Sequence, residues 1–387
     1  MNILLLTWEF SPILGGAGAF ARDVCLALGE SGHSVTVLTA DFSSTHKREQ
    51  IKDDELLAAK SVDVIRLSWP HPFGYFTIPW KLKSFLAKRR KQFDRFWITD
   101  SKAHAVASKL PFELMGAYAV VIHGGELPRH FDARPLWLNI CYSSKGIRSL
   151  FRKAEVLMGI SQSTVDWISK YGFQSRNITL GVDPSLFFPV RDPHKIADIR
   201  KSFGMRTEDR VVLTACRLEA TKGVDTLIRA FVPLAAAFPT TSIWIAGDGE
   251  DRGRLENIAK DLGISDRIRF TGSLQRTRLR ELMQVCEIFA MITRYDNFGL
   301  VFIEANACGK AVLAGRTGGV SNAVEHGVSG LLVDPYKVED VSRDLAELLS
   351  DDKLRQRLER DGEERYREGF THIHTARQML KHTEPAP

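Results

Sequence analysis

Hydrophobic residues in the 387-residue chain fall into short apolar runs, and between these runs apolar positions recur with helical spacing. The runs that predict strands cover 3–7, 35–39, 62–68, 95–99 and 118–123 in the first half, and 210–215, 242–247, 267–272, 287–293 and 311–315 in the second. Helical spacing is found at 19–30, 223–237, 251–262, 276–285, 298–308 and 338–350. Apolar strands separated by helices indicate parallel sheets with helices on both faces.

The alternation occurs twice, which predicts an α/β fold of two doubly wound, Rossmann-like domains. A chain of this length is also too long for one ordinary hydrophobic core. Three prolines interrupt the periodicity in 181–193, so the join is predicted there. We expect an N-terminal domain over 1–185, a C-terminal domain over 186–365, and a helical segment, 366–387, that crosses back to the first domain. Ligands of such sheets bind outside the carboxyl ends of the strands, which predicts a cleft between two facing domains.

Composition narrows the class of protein but not its activity. The apolar fraction of 44% and the charged fraction of 26% are those of a globular protein. A net charge of +6 suits small anionic ligands or an anionic membrane surface, and it does not indicate nucleic acid as a partner. The five cysteines include no C-x-x-C pair, the first residues lack a basic signal-peptide start, and no apolar run has the length of a membrane span. We therefore expect a cytoplasmic protein in a reducing compartment.

A glycine-rich stretch, GGAGAFA at 15–21, opens the first helical segment and admits two interpretations. Gly16, Gly18 and Ala21 match the spacing G-x-G-x-x-A, and Asp41 closes the next apolar run, which is the pattern of an NAD-dependent oxidoreductase. In that fold, however, the first glycine follows the strand almost at once, whereas WEFSPIL intervenes here. The favoured interpretation is a loop whose N–H groups, at a helix N-terminus, bind another phosphate. Close packing is the structural alternative for the glycines, and a turn is the favoured interpretation of Asp41.

Charged residues in the second half are placed where strands end and helices begin. Arg217 and Lys222 follow the predicted strand 210–215, where two cations can neutralise a diphosphate and stabilise it as a leaving group. Asp296 precedes a predicted helix and Glu304 lies on its second turn, so both carboxylates are expected to face one cleft and to bind sugar hydroxyls. Taken alone, these residues have ordinary alternatives as solvated loop cations, a helix cap or a surface charge.

Eight segments, taken in order, make the chain resemble glycosyltransferase family 4, a family of retaining enzymes with the GT-B fold, over essentially its full length. They are GGAGAFARDVCLALGESGHSVTVLT, HGGEL (123–127), GISQSTVDWISKYG (159–172), GVD (181–183), RLEATKGVDTLIRAF, IAGDGEDRGRLENIAKDLGISDRIRFTGSL (245–274), YDNFGLVFIEANACGKAVLAG and GGVSNAVEHGVSGLLVDP (318–335). No segment is specific alone, but their order and spacing together are. The resemblance implies two facing domains and a nucleoside-diphosphate sugar as the donor.

The resemblance also implies roles for the residues that match the family's motifs. Gly15 and Gly16 are expected beside the donor phosphates, and Arg217 and Lys222 are expected to hold the diphosphate. Glu304 is expected to bind the ribose hydroxyls of the nucleotide.

Further roles concern the transferred sugar. The resemblance implies that Asp296 and the backbone of Phe298, Gly299 and Leu300 contact the sugar and its phosphate. His123, from the opposite domain, is expected near the reacting sugar, and a structural histidine at a strand end is the alternative. Catalytic roles are thus expected for His123, Arg217, Lys222 and Asp296.

The chain departs from the family pattern at two places and lacks one metal motif. Ser321 and Asn322 stand where the family usually has proline and glutamate, outside the core pair of carboxylates. The family has glutamate where this chain has Asp296. The shorter side chain alters the reach to a sugar hydroxyl, so the donor preference and the rate of transfer do not follow from the family pattern. No D-x-D motif and no His/Cys cluster with metal-ligand spacing occurs in the sequence. We predict metal-independent chemistry, with the nucleotide sugar as co-substrate and no further cofactor.

Residues 68–97 suggest a membrane surface as a partner. Five aromatic residues precede position 81, and seven basic residues lie from Lys81 onward. On a helical wheel, the apolar residues that cluster on one side are Leu82, Phe85, Leu86, Phe93 and Phe96. A basic amphipathic helix suits an anionic bilayer. An ordinary crossover helix that packs this stripe on its own sheet explains the pattern equally, because every doubly wound domain needs such helices.

The prediction is a retaining hexosyltransferase that moves a sugar from a UDP- or GDP-sugar to a hydroxyl of a glycan or lipid-linked acceptor. It would act in cell-surface polysaccharide or glycolipid synthesis, in the cytoplasm and at the inner face of the membrane. Three alternatives remain: a catalytically silent glycosyltransferase-like binding protein, an NAD-dependent oxidoreductase, and a sugar-nucleotide epimerase of the same fold. An oxidoreductase would give no role to the two cations, Arg217 and Lys222, or to the carboxylates of Asp296 and Glu304.

Overall fold

The computed structural model describes residues 1–12, 15–41, 43–68, 74–132 and 143–384. Contacts divide the chain into two compact units, which we call the N-terminal unit (Met1–Gly181 with His372–Pro387) and the C-terminal unit (Val182–Thr371). Among the described residues, each unit contains one sheet of parallel strands. Helices follow most of these strands, as the alternating sequence pattern predicted.

The N-terminal sheet has the strand order β3-β2-β1-β4-β5-β6-β7. Its strands are β1 (Asn2–Leu6), β2 (Ser34–Ala40), β3 (Val62–Leu67), β4 (Arg95–Ile98), β5 (Ala119–Ile122), β6 (Val156–Gly159) and β7 (Arg176–Asn177). Its helices are α1 (Gly16–Glu30), α2 (Ser43–Ala58), α3 (Gly74–Arg89), α4 (Ser101–Ala107), α5 (Phe112–Met115), α6 (Glu126–Phe131), α7 (Ser144–Lys153) and α8 (Gln162–Lys170), with a 3₁₀ turn at Arg90–Gln92. Strand β1 lies in the middle, with Leu5 opposite Val37 on one side and Trp97 on the other.

The C-terminal sheet has the strand order β10-β9-β8-β11-β12-β13. Its strands are β8 (Arg210–Ala215), β9 (Thr241–Ala246), β10 (Ile268–Gly272), β11 (Ile288–Met291), β12 (Val312–Gly315) and β13 (Gly330–Val333). Its helices are α9 (Pro193–Ser202), α10 (Val224–Phe231), α11 (Arg252–Asp261), α12 (Arg276–Val285), α13 (Leu300–Ala307), α14 (Val320–Ala323), α15 (Val338–Ser350) and α16 (Asp352–Gly369), with 3₁₀ turns at Ala220–Lys222, Val232–Leu234 and Ser265–Arg267. The last helix, α17 (His372–His382), belongs to the N-terminal unit.

Burial explains why most of the strands could be predicted from the sequence. All residues of β5, β11 and β12 are buried, because helices cover both faces of each sheet. Three strands were not among the predicted ones: β6, β7 and β13. The two residues of β7 are exposed, so polarity does not mark that strand, whereas β6 and β13 have four residues like the predicted strands β5 and β12.

The chain passes between the units at Gly181 and Thr371, whereas the sequence placed these boundaries at 185 and 365. Val182 already belongs to the C-terminal unit, where its N–H donates to the carbonyl of Phe370 at 2.9 Å. Residues 366–369 form the last turn of α16, so the returning segment begins only with α17, which packs against α1.

Strand order reverses once in each sheet, between β1 and β4 and between β8 and β11. In a doubly wound sheet the loops on either side of this reversal diverge and leave a crevice at the carboxyl ends of the strands, where ligands bind. We therefore expect site residues in the loops that follow these four strands. Within the described ranges, no helix is both long and apolar enough to cross a membrane.

Candidate functional site

Lys222 and Asp296 meet at the reversal point of the C-terminal sheet. Lys222 ends the 3₁₀ turn after β8, and Asp296 lies in the loop after β11. The lysine Nζ lies 2.8 Å from Oδ2 of the aspartate, with the side chains 22% and 19% exposed. The other carboxylate oxygen accepts a hydrogen bond from the Phe298 N–H at 3.3 Å. Two residues predicted from separate motifs thus form one partly buried ion pair.

Gly223 allows the lysine loop to approach β11. Its φ is +63°, and a Cβ there would lie 1.9 Å from the carbonyl oxygen of Ile292. Only glycine tolerates both the left-handed backbone and the close approach. The loop is held further by the Arg294 N–H, which donates to the Thr221 carbonyl at 2.7 Å. The position of Lys222 is therefore fixed by the backbone around it.

The segment Phe298–Leu300 forms the start of α13. Phe298 is buried, with its ring centroid 6.4 Å from that of Phe370. Gly299 is the N-cap, with φ +86° and no side-chain cap, and its Cβ would contact the Phe302 ring at 2.5 Å. The sequence placed the start of this helix at 298; it lies at Leu300 because the left-handed residue before it interrupts the helix. The N-terminal N–H groups of α13 follow Asp296 directly.

Glu304 lies on α13, as predicted, and its side chain is 10% exposed. Its Oε1 lies 3.4 Å from Nη2 of Arg276, the first residue of α12. Arg276 was not among the residues predicted from the sequence. The residue follows strand β10 at the carboxyl edge of the sheet, and that position was the signal that could have identified it.

Arg217 follows β8 but, within the described part of the chain, it pairs with Glu219 and not with Asp296. Its side chain is 71% exposed, and its Nη1 lies 3.0 Å from Oε1 of Glu219. The structure therefore brings together Lys222 and Asp296, and Glu304 with a new partner, while Arg217 extends into solvent.

Gly15 and Gly16 lie at the start of α1 in the N-terminal unit. Gly15 is the extended N-cap without a side-chain cap, and a Cβ there would lie 2.6 Å from Oε2 of Glu9. A Cβ on Gly16 would meet nothing within 4 Å. Packing thus gives no reason for glycine at position 16. Strand β1 ends at Leu6, so a long loop separates it from the helix, unlike a dinucleotide-binding turn.

His123 follows β5 directly, and its ring stands edge-on to Phe20 with centroids 5.2 Å apart. Burial lowers the pKa of His123 to about 4, against the opposing attraction of Asp100. Burial likewise lowers the pKa of His104 to about 4, again opposed by Asp100, and its Nε2 lies 3.0 Å from the Val121 carbonyl oxygen. Both imidazoles are therefore neutral at pH 7.

Asp100 is a second residue that sequence analysis missed. It caps α4, accepting from the N–H groups of Lys102 and Ala103 at 2.9 and 3.1 Å. Its Oδ2 accepts from the Thr7 hydroxyl at 2.9 Å, from the Trp8 N–H, and from the Glu9 N–H at 3.1 Å. An aspartate between a strand and a helix is the usual N-cap pattern, which was the available signal. It ties the loop before Gly15 to the strand next to β1.

The predicted basic amphipathic segment is only partly described, because 69–73 lie outside the described residues. Leu82 and Leu86 of α3 are buried in the core of the N-terminal unit, and Phe85 packs against it. Phe96 belongs to β4 rather than to the helix. The apolar stripe is therefore a core-facing one, as the crossover-helix alternative stated. Trp80, at 72% exposure, lies outside it.

Within the described residues, no group of three His, Cys, Asp or Glu side chains is placed so that it could hold a metal ion.

Comparisons with known proteins address the family and the fold. A model of "Glycosyl transferases group 1" matches residues 195–365, and one of "Glycosyltransferase Family 4" matches 14–186. The glycogen synthase of Mycobacterium tuberculosis is 28% identical over 395 residues, covering 96% of this chain and 91% of that protein. A GDP-mannose-dependent monoacylated alpha-(1-6)-phosphatidylinositol monomannoside mannosyltransferase of Corynebacterium glutamicum is 28% identical, covering 90% and 88%.

The solved structure of Anabaena HepE in complex with UDP-glucose superposes with a TM-score of 0.79 at 22% identity, covering 98% of each chain. The structure of WaaG, a glycosyltransferase involved in lipopolysaccharide biosynthesis, gives a TM-score of 0.72 at 15% identity, covering 99% and 100%. At these identities the likeness concerns the fold, and it confirms the predicted two-domain α/β class of GT-B proteins.

Proposed function

Because the chain belongs to glycosyltransferase family 4, we propose that it transfers a hexose-type sugar, with retention, from a UDP- or GDP-sugar to a hydroxyl of a glycan or lipid-linked acceptor. The reaction would serve cell-surface polysaccharide or glycolipid synthesis. The observation that carries the proposal is the Lys222–Asp296 pair, with 2.8 Å between Nζ and Oδ2, at the reversal point of the C-terminal sheet. A cation and a carboxylate are the groups that a diphosphate and a sugar hydroxyl respectively need.

The donor diphosphate would bind between Lys222 and the N-terminus of α13. Gly299, the N-cap of that helix, has no side-chain cap, so the first N–H groups are placed to receive phosphate oxygens. Arg217 would turn from Glu219 toward the phosphates, since its exposed side chain has room to move. Together these groups neutralise the charge that develops on the leaving diphosphate.

The sugar and the nucleoside would be held by the two carboxylates. Asp296, with the backbone of Phe298–Leu300, would contact the transferred sugar and its phosphate. Glu304 would accept hydrogen bonds from the ribose hydroxyls, for which an ionised carboxylate has four lone-pair sites. In the N-terminal unit, Gly15 and Gly16 would lie beside the donor phosphates and His123 near the reacting sugar. As a neutral imidazole, His123 can donate one hydrogen bond without adding charge.

In the proposed reaction, the bond between the anomeric carbon and the diphosphate oxygen breaks while the acceptor oxygen bonds to the same face of that carbon. A phosphate oxygen of the leaving diphosphate takes the acceptor's proton, so charge and atoms balance. The cations and helix dipole supply the electrostatic stabilisation, so no metal ion is required in this scheme. Retention is tested by the anomeric configuration of the first-formed product in NMR. Metal independence is tested by turnover after treatment with EDTA.

The decisive experiment screens UDP-, GDP- and ADP-sugars for slow donor hydrolysis, and the same sugars and NADH for thermal stabilisation of the protein. A bound donor at a hundredfold excess over its Kd stabilises by about 2.7 kcal/mol. Hydrolysis of one donor, abolished by Glu304→Ala, supports the proposal. Binding without any turnover would instead indicate a catalytically silent relative, and binding of NADH alone an oxidoreductase.

An anionic membrane surface is the proposed partner of α3, through its solvent face rather than its apolar stripe. Trp80 is exposed there, and Lys81, Lys83 and Lys88 are exposed beside it. An exposed tryptophan among lysines suits the headgroup region of an anionic bilayer. The test is flotation with phosphatidylglycerol vesicles, which should bind the chain at low salt and not at high salt. Trp80→Ala should weaken binding, and equal binding to neutral phosphatidylcholine vesicles would contradict the proposal.

A further inference from the structure

Arg276 and Glu304 come from different loops of the C-terminal unit and meet in a partly buried contact. Arg276 opens α12 after strand β10, and Glu304 lies on the second turn of α13 after β11. Nη2 of the arginine lies 3.4 Å from Oε1 of the glutamate, with the side chains 17% and 10% exposed. A carboxylate so shielded from water needs a compensating charge, which the guanidinium supplies.

A second contact restrains the guanidinium of Arg276. Its central carbon lies over the Phe187 ring, 5.2 Å from the ring centroid, and this ring is itself buried. Arginine commonly packs over aromatic faces. Arg276 is thus held between the Phe187 ring and the Glu304 carboxylate. Its orientation is set before any ligand binds.

We propose that Arg276 is a positioning residue for Glu304 and selects donors that carry a complete ribose. This inference rests on the proposed function, in which Glu304 binds the ribose hydroxyls. Through its contact with Oε1, Arg276 restrains the orientation of the carboxylate that would accept from the ribose. A 2′-deoxyribose lacks one of the hydroxyls that would donate to Glu304.

Arg280 provides a matched control one turn further along α12. Its guanidinium carbon lies 5.1 Å from the centroid of the next phenylalanine ring, Phe188, and its Nη2 lies 3.6 Å from Oε1 of Glu281. Arg280→Gln therefore removes the same charge and the same kind of stacking from the same helix. Of the two substitutions, Arg276→Gln is the one that removes the contact with Glu304.

The test measures binding of UDP, GDP, their 2′-deoxy analogues and inorganic pyrophosphate to the full chain by calorimetry. The unmodified chain should prefer the ribonucleotide over its deoxy analogue. Arg276→Gln should weaken binding of the ribonucleotide about tenfold and reduce that preference to near unity. It should leave pyrophosphate binding unchanged, because pyrophosphate uses only the phosphate-binding groups. Arg276→Lys, which keeps the charge but not the planar fork, should restore only part of the affinity.

The possible results separate the inference from the function on which it rests. Unchanged ribonucleotide binding and preference in Arg276→Gln would overturn the inference alone. Equal losses for ribonucleotide, deoxy analogue and pyrophosphate would overturn it also, since they indicate a general structural effect. A loss of the same size in Arg280→Gln would have the same meaning. If the unmodified chain binds neither UDP nor GDP, the proposed function fails and the inference fails with it.

Discussion

The ammonium group of Lys222 lies 2.8 Å from the Asp296 carboxylate and joins the loop after β8 to the loop after β11. The N-terminal unit has a related arrangement, in which Asp100, after β4, accepts a hydrogen bond from Thr7 Oγ1, after β1, at 2.9 Å. In both sheets an aspartate after the fourth strand of the unit holds the loop after the first. The crevice at each reversal point is therefore bridged by a side-chain contact, which brings chemically active residues of two loops together.

In the proposed site, Asp296 and the bound diphosphate compete for Lys222. Removing the carboxylate should therefore strengthen nucleotide binding and slow turnover. In Asp296→Asn the ammonium loses its internal partner, so UDP or GDP should bind several-fold more tightly. Turnover should fall about 100-fold, because Lys222 and the sugar both lose the carboxylate. Calorimetry gives the first quantity and steady-state kinetics gives the second.

Asp209→Asn is the control for Asp296→Asn, because it also removes a paired carboxylate from the C-terminal unit. Asp209 pairs with Arg206, 2.9 Å away, in the loop before β8 at the opposite edge of the sheet. It should change neither nucleotide affinity nor turnover. Weaker nucleotide binding by Asp296→Asn would show that the carboxylate assists the diphosphate site instead of competing with it.

Gly223 should be far less tolerant of substitution than another glycine with a similar backbone. In Gly223→Ala the methyl group would meet the Ile292 carbonyl oxygen, so the free energy of unfolding should fall by about 3 kcal/mol. Gly204 has φ +70° but nothing within 4 Å of its Cβ, so Gly204→Ala should cost only about 1 kcal/mol. Urea unfolding of both variants measures the difference. Equal losses would mean that the backbone just after Lys222 relaxes without strain.

The fold and several residues of the candidate site could be predicted from the sequence, because both leave a pattern in the chain. Strands buried on both faces are apolar throughout, and Lys222, Asp296 and Glu304 lie in motifs at strand ends. Arg276 and Asp100 were missed because their partners are set by strand order, which local periodicity does not encode. Arg276, for example, reaches Glu304 from the other side of β8 and β9.

The apolar stripe of α3 illustrates a different limit of sequence analysis. A helix that packs on its own sheet and a helix that lies on a bilayer have the same amphipathic pattern. Leu82 and Leu86 are buried in the core of the N-terminal unit. The surface that α3 offers to a membrane is therefore Trp80 with the exposed lysines, and not the apolar stripe. Which partner covers a stripe becomes visible only once the helix is placed in the fold.

Gly16→Ala should separate a phosphate-binding role from a packing role. Because a Cβ at Gly16 meets nothing within 4 Å, alanine should not destabilise the protein and should gain up to about 0.5 kcal/mol. If donor phosphates approach the start of α1, the methyl group should lower kcat/KM for the donor about tenfold. Gly253→Ala, in the first turn of α11 and equally free of neighbours, is the control and should leave kcat/KM unchanged. Full activity of Gly16→Ala would exclude close approach of the donor at that residue.

His104 and His123 should make the stability of the N-terminal unit depend on pH. The pKa values of His104 and His123 are lowered by burial to about 4, whereas an unfolded histidine titrates near 6.5. Between these values the unfolded chain binds more protons than the folded one. The free energy of unfolding should therefore fall as pH drops from about 6.5 toward 4, by up to about 1.4 kcal/mol per pH unit for each histidine. Above pH 7 these two groups should contribute no pH dependence.

Urea unfolding at pH 5, 6 and 7, followed by tryptophan fluorescence, measures this slope. His104→Gln removes one of the two titrating groups and should reduce the slope by about half, whatever it does to the stability at pH 7. Comparing slopes rather than absolute stabilities matters, because the substitution also disturbs the contact of His104 with the Val121 carbonyl. A slope equal to that of the unmodified chain would mean that His104 keeps its proton on folding and that its burial is compensated by Asp100.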